Sequence, residues 1–174
     1  MKKLLVFILI LACCISSVFI KNDINPIFNF SNIDKVCIVS ASNFQNDGEI
    51  ESVACGDKYF NYCSLDVART KIRELKNDFD AIQFYLSGNV DEFLNKMKFQ
   101  LVSTSSIEGI EIYYGYTPYY QDCVFVDGKK VNMQVAVVGE SIIAGFPLIL
   151  TGYWFKNDKK FLNFMFNLIF CVNY

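Results

Sequence analysis

The stretch from Leu101 to Tyr153 constrains the fold most, because short turn signals separate its runs of Val, Ile, Tyr and Phe. Three dipeptides give these signals: Glu108-Gly109, Asp127-Gly128 and Gly139-Glu140. Two-residue loops of this kind close antiparallel hairpins, since glycine readily adopts the positive φ that the turn requires. The stretch therefore predicts an antiparallel meander of four or five strands.

Within residues 129–138 of the meander, apolar and polar side chains alternate. Successive side chains of a strand point to opposite faces of the sheet. One face would carry Val131, Met133, Val135 and Val137, and the other would carry Asn132 and Gln134. The alternation predicts one face packed on a core and one face in contact with water. Pro147 interrupts the last strand and predicts a bulge or an edge position there.

The residues before the meander predict further strands and two helices. Strands are predicted over Asp34–Ser42, Ser52–Cys63 and Asp80–Leu86, with a turn at Gly56-Asp57. A helix is expected to begin after Ser64, with an apolar stripe at Ala68, Ile72, Leu75 and Phe79. A second, shorter helix is expected after Asn89, with apolar residues Val90, Phe93, Leu94 and Met97. Helices with such stripes bury them on one face of a sheet, which gives an α+β domain.

The two ends of the chain differ from this domain. Residues 1–20 begin with Lys2 and Lys3 and continue as an uncharged apolar run, as in a signal peptide or signal anchor. A linker is predicted over residues 21–33, a single α+β domain over 34–153 and an apolar tail over 154–174. Residues 161–172 are too few to span a bilayer, so they would pack on the sheet or lie on a membrane surface.

The leader predicts an exported protein on the outer side of the cytoplasmic membrane or secreted, with the membrane as a partner of the N-terminal segment. Cys13 follows a small residue and is a candidate for lipidation. An exported location permits disulfides, and Cys55 and Cys63 flank a turn, so they are the candidate pair. The other cysteines follow no metal-binding pattern, and no metal site is predicted.

Charge and composition disfavour several functions. The formal net charge is −2 and the chain contains no His. Nucleic-acid binding depends on basic side chains that neutralise phosphates, so no nucleic-acid partner is expected. Histidine is the commonest general base, and no nucleophile and base combination is evident without it. We therefore expect no catalytic residues and no cofactor.

Five tyrosines lie close together at the end of one meander strand and in the following loop. They are Tyr113, Tyr114, Tyr116, Tyr119 and Tyr120. Tyrosine offers a large contact area at a small entropic cost, so the cluster is a candidate surface for a ligand or partner. Packing of the rings on the sheet for stability explains the cluster equally simply.

Three segments of the meander carry a family resemblance: GYTPYY (115–120), VDGKKVNMQVAV (126–137) and IIAGFPLILTGY (142–153). Together they resemble the C-terminal signature of the YwmB-like, or TATA-box-binding-like, family of exported proteins from spore-forming Gram-positive bacteria (Firmicutes). Matching positions include Pro118, Gly128, Asn132, Gln134, Gly145 and Pro147, and none of them belongs to a catalytic motif. The resemblance implies a helix-on-sheet fold and an envelope location, and it implies a structural role for these residues.

The sequence thus predicts a non-enzymatic envelope protein of unassigned biochemical role that binds a protein, peptide or small ligand. The alternative is an envelope enzyme that uses a thiol or a pair of carboxylates. A cysteine nucleophile would lack a histidine to activate it, which favours the binding function.

Overall fold

A computed structural model describes residues 25–45, 49–75, 78–107 and 109–150. Its helices are α1 (Asn25–Phe28), α2 (Leu65–Leu75) and α3 (Val90–Lys96). Its strands are β1 (Ile33–Ser40), β2 (Glu51–Cys55), β3 (Lys58–Cys63), β4 (Ala81–Ser87), β5 (Gln100–Ile107), β6 (Ile110–Tyr116), β7 (Val124–Val126), β8 (Lys129–Val131), β9 (Met133–Val138) and β10 (Ser141–Phe146).

Eight of the strands form one antiparallel sheet in the order β2-β3-β1-β4-β10-β9-β6-β5. The meander strands β5, β6, β9 and β10 make one half, and the earlier strands make the other half. Pairing of β10 with β4, from Ser141 opposite Ser87 to Phe146 opposite Ile82, joins the two halves. The predicted α+β class with a predominantly antiparallel sheet is therefore confirmed.

The predicted turns close two-residue hairpins. Cys55 faces Lys58 across the Gly56-Asp57 turn, and Val138 faces Ser141 across Gly139-Glu140. In the β7–β8 turn, Asp127 has a φ of 49° and Gly128 a φ of 72°. Two successive positive φ angles are the requirement of a type I′ turn, which is why this dipeptide specifies the hairpin.

The β7–β8 hairpin does not belong to the main sheet, contrary to the single strand expected over residues 129–138. The strand breaks at Asn132, which separates β8 from β9. The Asn132 side chain bonds to the backbone of the preceding loop instead of standing on a sheet face. Sheet order places β7 and β8 in a separate two-stranded ribbon.

Both predicted helices form. The Asn89 side chain accepts a hydrogen bond from the Glu92 N–H at 3.0 Å and so caps α3. The apolar stripes of α2 and α3 pack in the same cluster as Ile38, Ile82 and Phe84. We call the sheet face that carries these three residues the helical face.

Residues 25–33 are more than the linker that the sequence predicted. Asn25–Phe28 form a helical turn, and Ile27 is completely buried in the cluster on the helical face. Phe28 and Phe30 pack against the same cluster, with the Phe28 and Phe84 ring centroids 5.7 Å apart. Burial of the apolar side chains of Ile27, Phe28 and Phe30 stabilises the fold in a way that a polar linker could not. The segment therefore belongs to the domain.

The opposite face of the sheet, which we call the second face, is also buried, so the predicted wet face is wrong. Gln134 is 5% exposed and Gln83 is 0% exposed. Their neighbours on this face form a second hydrophobic cluster that includes Cys37, Val39, Ala81, Tyr85, Ala136 and Ile143. Alternation along β9 showed which residues share a face, but it could not show what covers each face.

The prediction for Pro147 is also wrong. Strand β10 lies between β4 and β9 in the middle of the sheet, and it ends at Phe146. Pro147 follows the last residue of the strand, so its missing N–H removes no bond of the ladder. The Phe146–Pro147 peptide bond is cis.

Candidate functional site

A cavity of about 260 Å³ opens where β4 ends, between the α1–β1 loop and α3. Its accessible lining is mostly polar and carries amides, hydroxyls and one ion pair. We call it the amide pocket, and it is lined by Asn29, Phe30, Ser31, Asn32, Leu86, Ser87, Gly88, Asn89, Glu92, Phe93, Lys96 and Ile142. Carboxamides and hydroxyls can both donate and accept hydrogen bonds, so this lining could bind a small polar molecule.

Backbone contacts hold the loops around the amide pocket in place. The Ser87 N–H donates to the Asn32 carbonyl at 3.3 Å, and the Gly88 N–H donates to the Glu140 carbonyl at 3.1 Å. Gly88 has a φ of 136°, and a Cβ there would lie 2.9 Å from Asn32 Nδ2. Only glycine readily adopts this φ, and its lack of a Cβ leaves space for the Asn32 amide. The local sequence therefore brings the α1–β1 loop against the start of α3.

One wall of the pocket is charged but internally neutralised. Lys96 Nζ lies 2.7 Å from Glu92 Oε1 and 5.0 Å from the centroid of the Phe30 ring. The hydrogen bond from Lys96 lowers the pKa of the Glu92 carboxyl. The Phe30 ring supplies the accessible aromatic surface beside the pair, and it packs 5.2 Å from the buried ring of Phe93. This combination suits an uncharged ligand rich in hydroxyl or amide groups better than a strongly ionic one.

The five tyrosines of the candidate surface do not share one face. Tyr113 and Tyr119 pack against the helical-face cluster, whereas Tyr114 packs against the second-face cluster. Tyr120 is 4% exposed, and its ring lies 5.5 Å from that of Phe146. Of the five, only Tyr116 is exposed, at 38%. These contacts favour the stabilising role, and a binding role for the cluster stays a prediction.

Hydrogen bonds explain two of the signature residues. Asn132 is completely buried, and its Oδ1 accepts from the Thr117 N–H at 2.7 Å. Its Nδ2 donates to the carbonyls of Thr117, at 2.8 Å, and Tyr120. Gln134 Oε1 accepts from the Ile149 N–H at 2.8 Å. Both side chains therefore hold irregular backbone segments, which is a structural role.

The remaining signature residues lie in turns or at close backbone contacts. Pro118 lies in the loop that Asn132 holds, and Gly128 occupies the second of the two left-handed positions of the β7–β8 turn. A Cβ on Gly145 would lie 2.5 Å from the Leu148 carbonyl carbon and 2.6 Å from the Ile149 nitrogen. The chain after Pro147 therefore crosses directly over Gly145, which a side chain would prevent.

The candidate disulfide between Cys55 and Cys63 is wrong. Cys55 pairs with Lys58 beside the turn, whereas Cys63 lies at the far end of β3 and pairs with Val36 of β1. Both thiols are free, Cys55 exposed and Cys63 buried. A two-residue turn places the residue at 58, not the one at 63, opposite Cys55, so the hairpin geometry separates the two sulfurs.

Burial makes two of the thiols poor nucleophiles. It raises the pKa of Cys63 from 9.0 to about 11, and it raises that of Cys37 even further. At neutral pH, Cys63 would hold about a hundredfold less thiolate than an ordinary thiol. We expect native chain treated with iodoacetamide at pH 8 to be alkylated first at exposed Cys55 and Cys123, as peptide mass spectrometry would show. Faster alkylation of Cys37 or Cys63 would contradict this burial.

The same shift predicts a pH dependence of stability. Because the folded pKa of Cys63 lies above its unfolded value, the folded state favours the protonated thiol, and its contribution is fully present below about pH 9. The contribution is lost as the pH rises through about 11. We expect the free energy of unfolding to fall over this range, and to fall less steeply in Cys63→Ala. Equal slopes in urea titrations of the two proteins would contradict the prediction.

The remaining kinds of site are a metal centre, a membrane-spanning helix and the candidate lipidation site. Among the described residues, no group of three His, Cys, Asp or Glu side chains could hold a metal ion. The described part of the chain contains no helix long and apolar enough to cross a membrane. Cys13 and the predicted leader lie outside the described residues.

The amide pocket was not evident from the sequence. Its one local signal was the Asn-x-x-Asn spacing of Asn29 and Asn32, which resembles that of an ordinary polar loop. The pocket forms only when β4 brings Ser87 and Gly88 beside that loop. No pattern within either segment encodes this juxtaposition.

No protein family model matches this chain, and no curated protein is significantly similar to it.

Proposed function

We propose that this chain is a non-enzymatic, exported or membrane-tethered envelope protein that binds a small uncharged ligand in the amide pocket. The observation that carries the proposal is the lining of the pocket: carboxamides and hydroxyls beside the Phe30 ring, with the one ion pair already satisfied internally. Amide and hydroxyl groups both donate and accept hydrogen bonds, so they match ligands that carry the same groups, such as neutral sugars.

The location rests on the apolar leader that follows Lys2 and Lys3. A YwmB-like relationship is part of the proposal and rests on the signature residues of the meander. Helices packed on one face of an antiparallel sheet support a TATA-box-binding-like arrangement. Similarity of fold alone does not establish a function, so the proposed binding activity depends on the pocket itself.

A thiol-dependent enzyme is the second candidate, and the exposure of Cys55 and Cys123 is what favours it. Cys55 lies beside a tight turn at the end of edge strand β2, away from the described pocket. A catalytic thiol needs a group that activates it and a site that binds the substrate. The binding function therefore has the better structural support.

A matched pair of serine variants tests the pocket. Ser87 lines it at the end of β4, whereas Ser106 is also an exposed strand residue but lies on edge strand β5, outside the pocket. Saturation-transfer NMR would use N-acetylglucosamine, glucose and N-acetylalaninamide as probes, all of which are uncharged. We expect saturable binding with a Kd on the order of 1 mM for at least one probe, as for a ligand of this size in a small site.

Ser87→Trp should weaken that binding at least about tenfold by filling the pocket, whereas Ser106→Trp should leave it unchanged. Absence of saturable binding by all three probes would contradict the proposed ligand class. Equal binding by the two variants would show that the ligand binds elsewhere.

A further inference from the structure

The centre of the second face is buried as deeply as a protein core. Cys37, Val39, Ala81, Tyr85 and Ile143 are each 0 to 2% exposed. The described helices all pack in the cluster of the helical face, not against these residues. Partly buried residues of the second cluster come from strands or from the end of the described chain: Phe60, Ile107, Tyr114, Val138, Ile149 and Leu150. An additional layer must cover this face.

The end of the described chain lies on this same face. Gly145 follows Ile143 by two residues, so both face the second cluster, and the backbone of Leu148 and Ile149 crosses directly over Gly145. The Ile149 N–H donates to Gln134 Oε1, which also belongs to the second face. Ile149 and Leu150 then pack against the second cluster. The described chain therefore ends on the buried face.

The residues that follow have a suitable composition and length. Residues 161–172, FLNFMFNLIFCV, are apolar except for Asn163 and Asn167, which would share one side of a helix. Such a helix would be about 18 Å long at 1.5 Å per residue. The buried centre crosses β1, β4, β10, β9 and β6, which is about 19 Å at the usual strand spacing. Ten residues, 151–160, are more than enough to connect Leu150 to it.

We propose that residues 161–172 dock on the second face of the sheet and complete the core of this domain. The sheet is then a middle layer between the helices of the helical face and the C-terminal segment. Apolar residues on both faces of β1 and β4 follow from this arrangement, since buried strands need not alternate with polar residues. The leader, a second copy of the chain and a membrane surface are the competing occupants.

Two buried cysteines provide a test without added labels. Cys37 lies on the second face, and Cys63 lies in the cluster of the helical face. Met165→Asp places a charge on the side of the segment opposite Asn163 and Asn167, whereas Asn163→Asp places the same charge on the polar side. The experiment measures the rate of thiol labelling by N-ethylmaleimide, cysteine by cysteine, in the chain isolated from expressing cells.

We expect Met165→Asp to raise the labelling rate of Cys37 at least about tenfold, because undocking opens this face locally, and to leave that of Cys63 unchanged. Asn163→Asp should leave both rates unchanged. Unchanged protection of Cys37 in Met165→Asp would overturn the proposal. So would equal exposure of Cys37 by both variants.

A second measurement does not depend on a destabilised variant. Photo-methionine incorporated in place of the methionines puts a crosslinker at position 165 of the native chain. Crosslinks from Met165 to peptides that contain Tyr85 or Ile143 of the same molecule are the expected result. Crosslinks only to lipid, to the leader or, in isotope-mixed samples, to another copy would each overturn it.

Discussion

Replacing Asn132 by alanine should lower the free energy of unfolding by about 3 kcal/mol and the Tm by about 10 °C. Asn132 is completely buried and bonds to the Thr117 N–H and to the carbonyls of Thr117 and Tyr120. The alanine variant leaves these three backbone groups without partners in a site closed to water. Each unpaired buried group costs about 1 kcal/mol or more, so the sum is large for a single side chain.

Urea unfolding of Asn132→Ala beside Asn95→Ala measures this effect. Asn95 is exposed on α3, so its replacement should change the free energy of unfolding by no more than about 0.5 kcal/mol. The amide pocket lies elsewhere, so ligand binding by folded Asn132→Ala should be unchanged. Retained stability with lost binding would contradict the structural role and indicate that Asn132 contacts the ligand.

Gly145→Ala should destabilise the domain by about 2 to 3 kcal/mol. Its Cβ would lie 2.5 to 2.6 Å from three backbone atoms of Leu148 and Ile149, far closer than such atoms approach in proteins. The backbone after Pro147 would have to move away, and the Ile149 N–H would lose its bond to Gln134. Rotating a side chain cannot relieve this clash, because the close contacts are with backbone atoms.

Gly109→Ala is the matched control. Gly109 has a φ of 84°, and no atom lies within 4 Å of a Cβ built there. Its replacement costs only the positive φ, about 1 kcal/mol. If thermal unfolding shows Gly145→Ala to be no less stable than Gly109→Ala, the chain after β10 does not lie over Gly145.

The sequence predicted features that depend on local chemistry. Glycine dipeptides located the hairpin turns, because φ at the turn is a property of those residues. Asn89 located the start of α3 because its cap bonds to a group three residues away. The strand β4 and the stripe of α2 follow from periodicity, since a helix or strand that packs on a core repeats its apolar residues.

Features that depend on distant residues were not predictable in this way. Gln134 has the polarity of a surface residue, yet it is buried because Ile149, fifteen residues later, supplies its partner. Asn132 breaks a strand that its neighbours favour, because its partners lie in the Thr117–Tyr120 loop. Cys63 is separated from Cys55 by the pairing register, which sequence spacing does not show.

The amide pocket and the buried second face have the same origin. Each is made by segments that are far apart in sequence and meet only when β4 pairs with β10 and β1. Each segment alone resembles an ordinary loop or strand. Predicting the pocket and the buried face from the sequence would require the order of the strands in the sheet, which local patterns do not determine.

The proposal of an exported binding domain is tested most directly by fractionating cells that express the full chain and measuring the intact mass of the product in each fraction. The expected result is a chain without its leader in the external fraction, or a full-length or lipidated chain in the membrane fraction. An unprocessed, unmodified chain recovered from the cytosolic fraction would contradict export and, with it, the proposed place of the amide pocket outside the membrane.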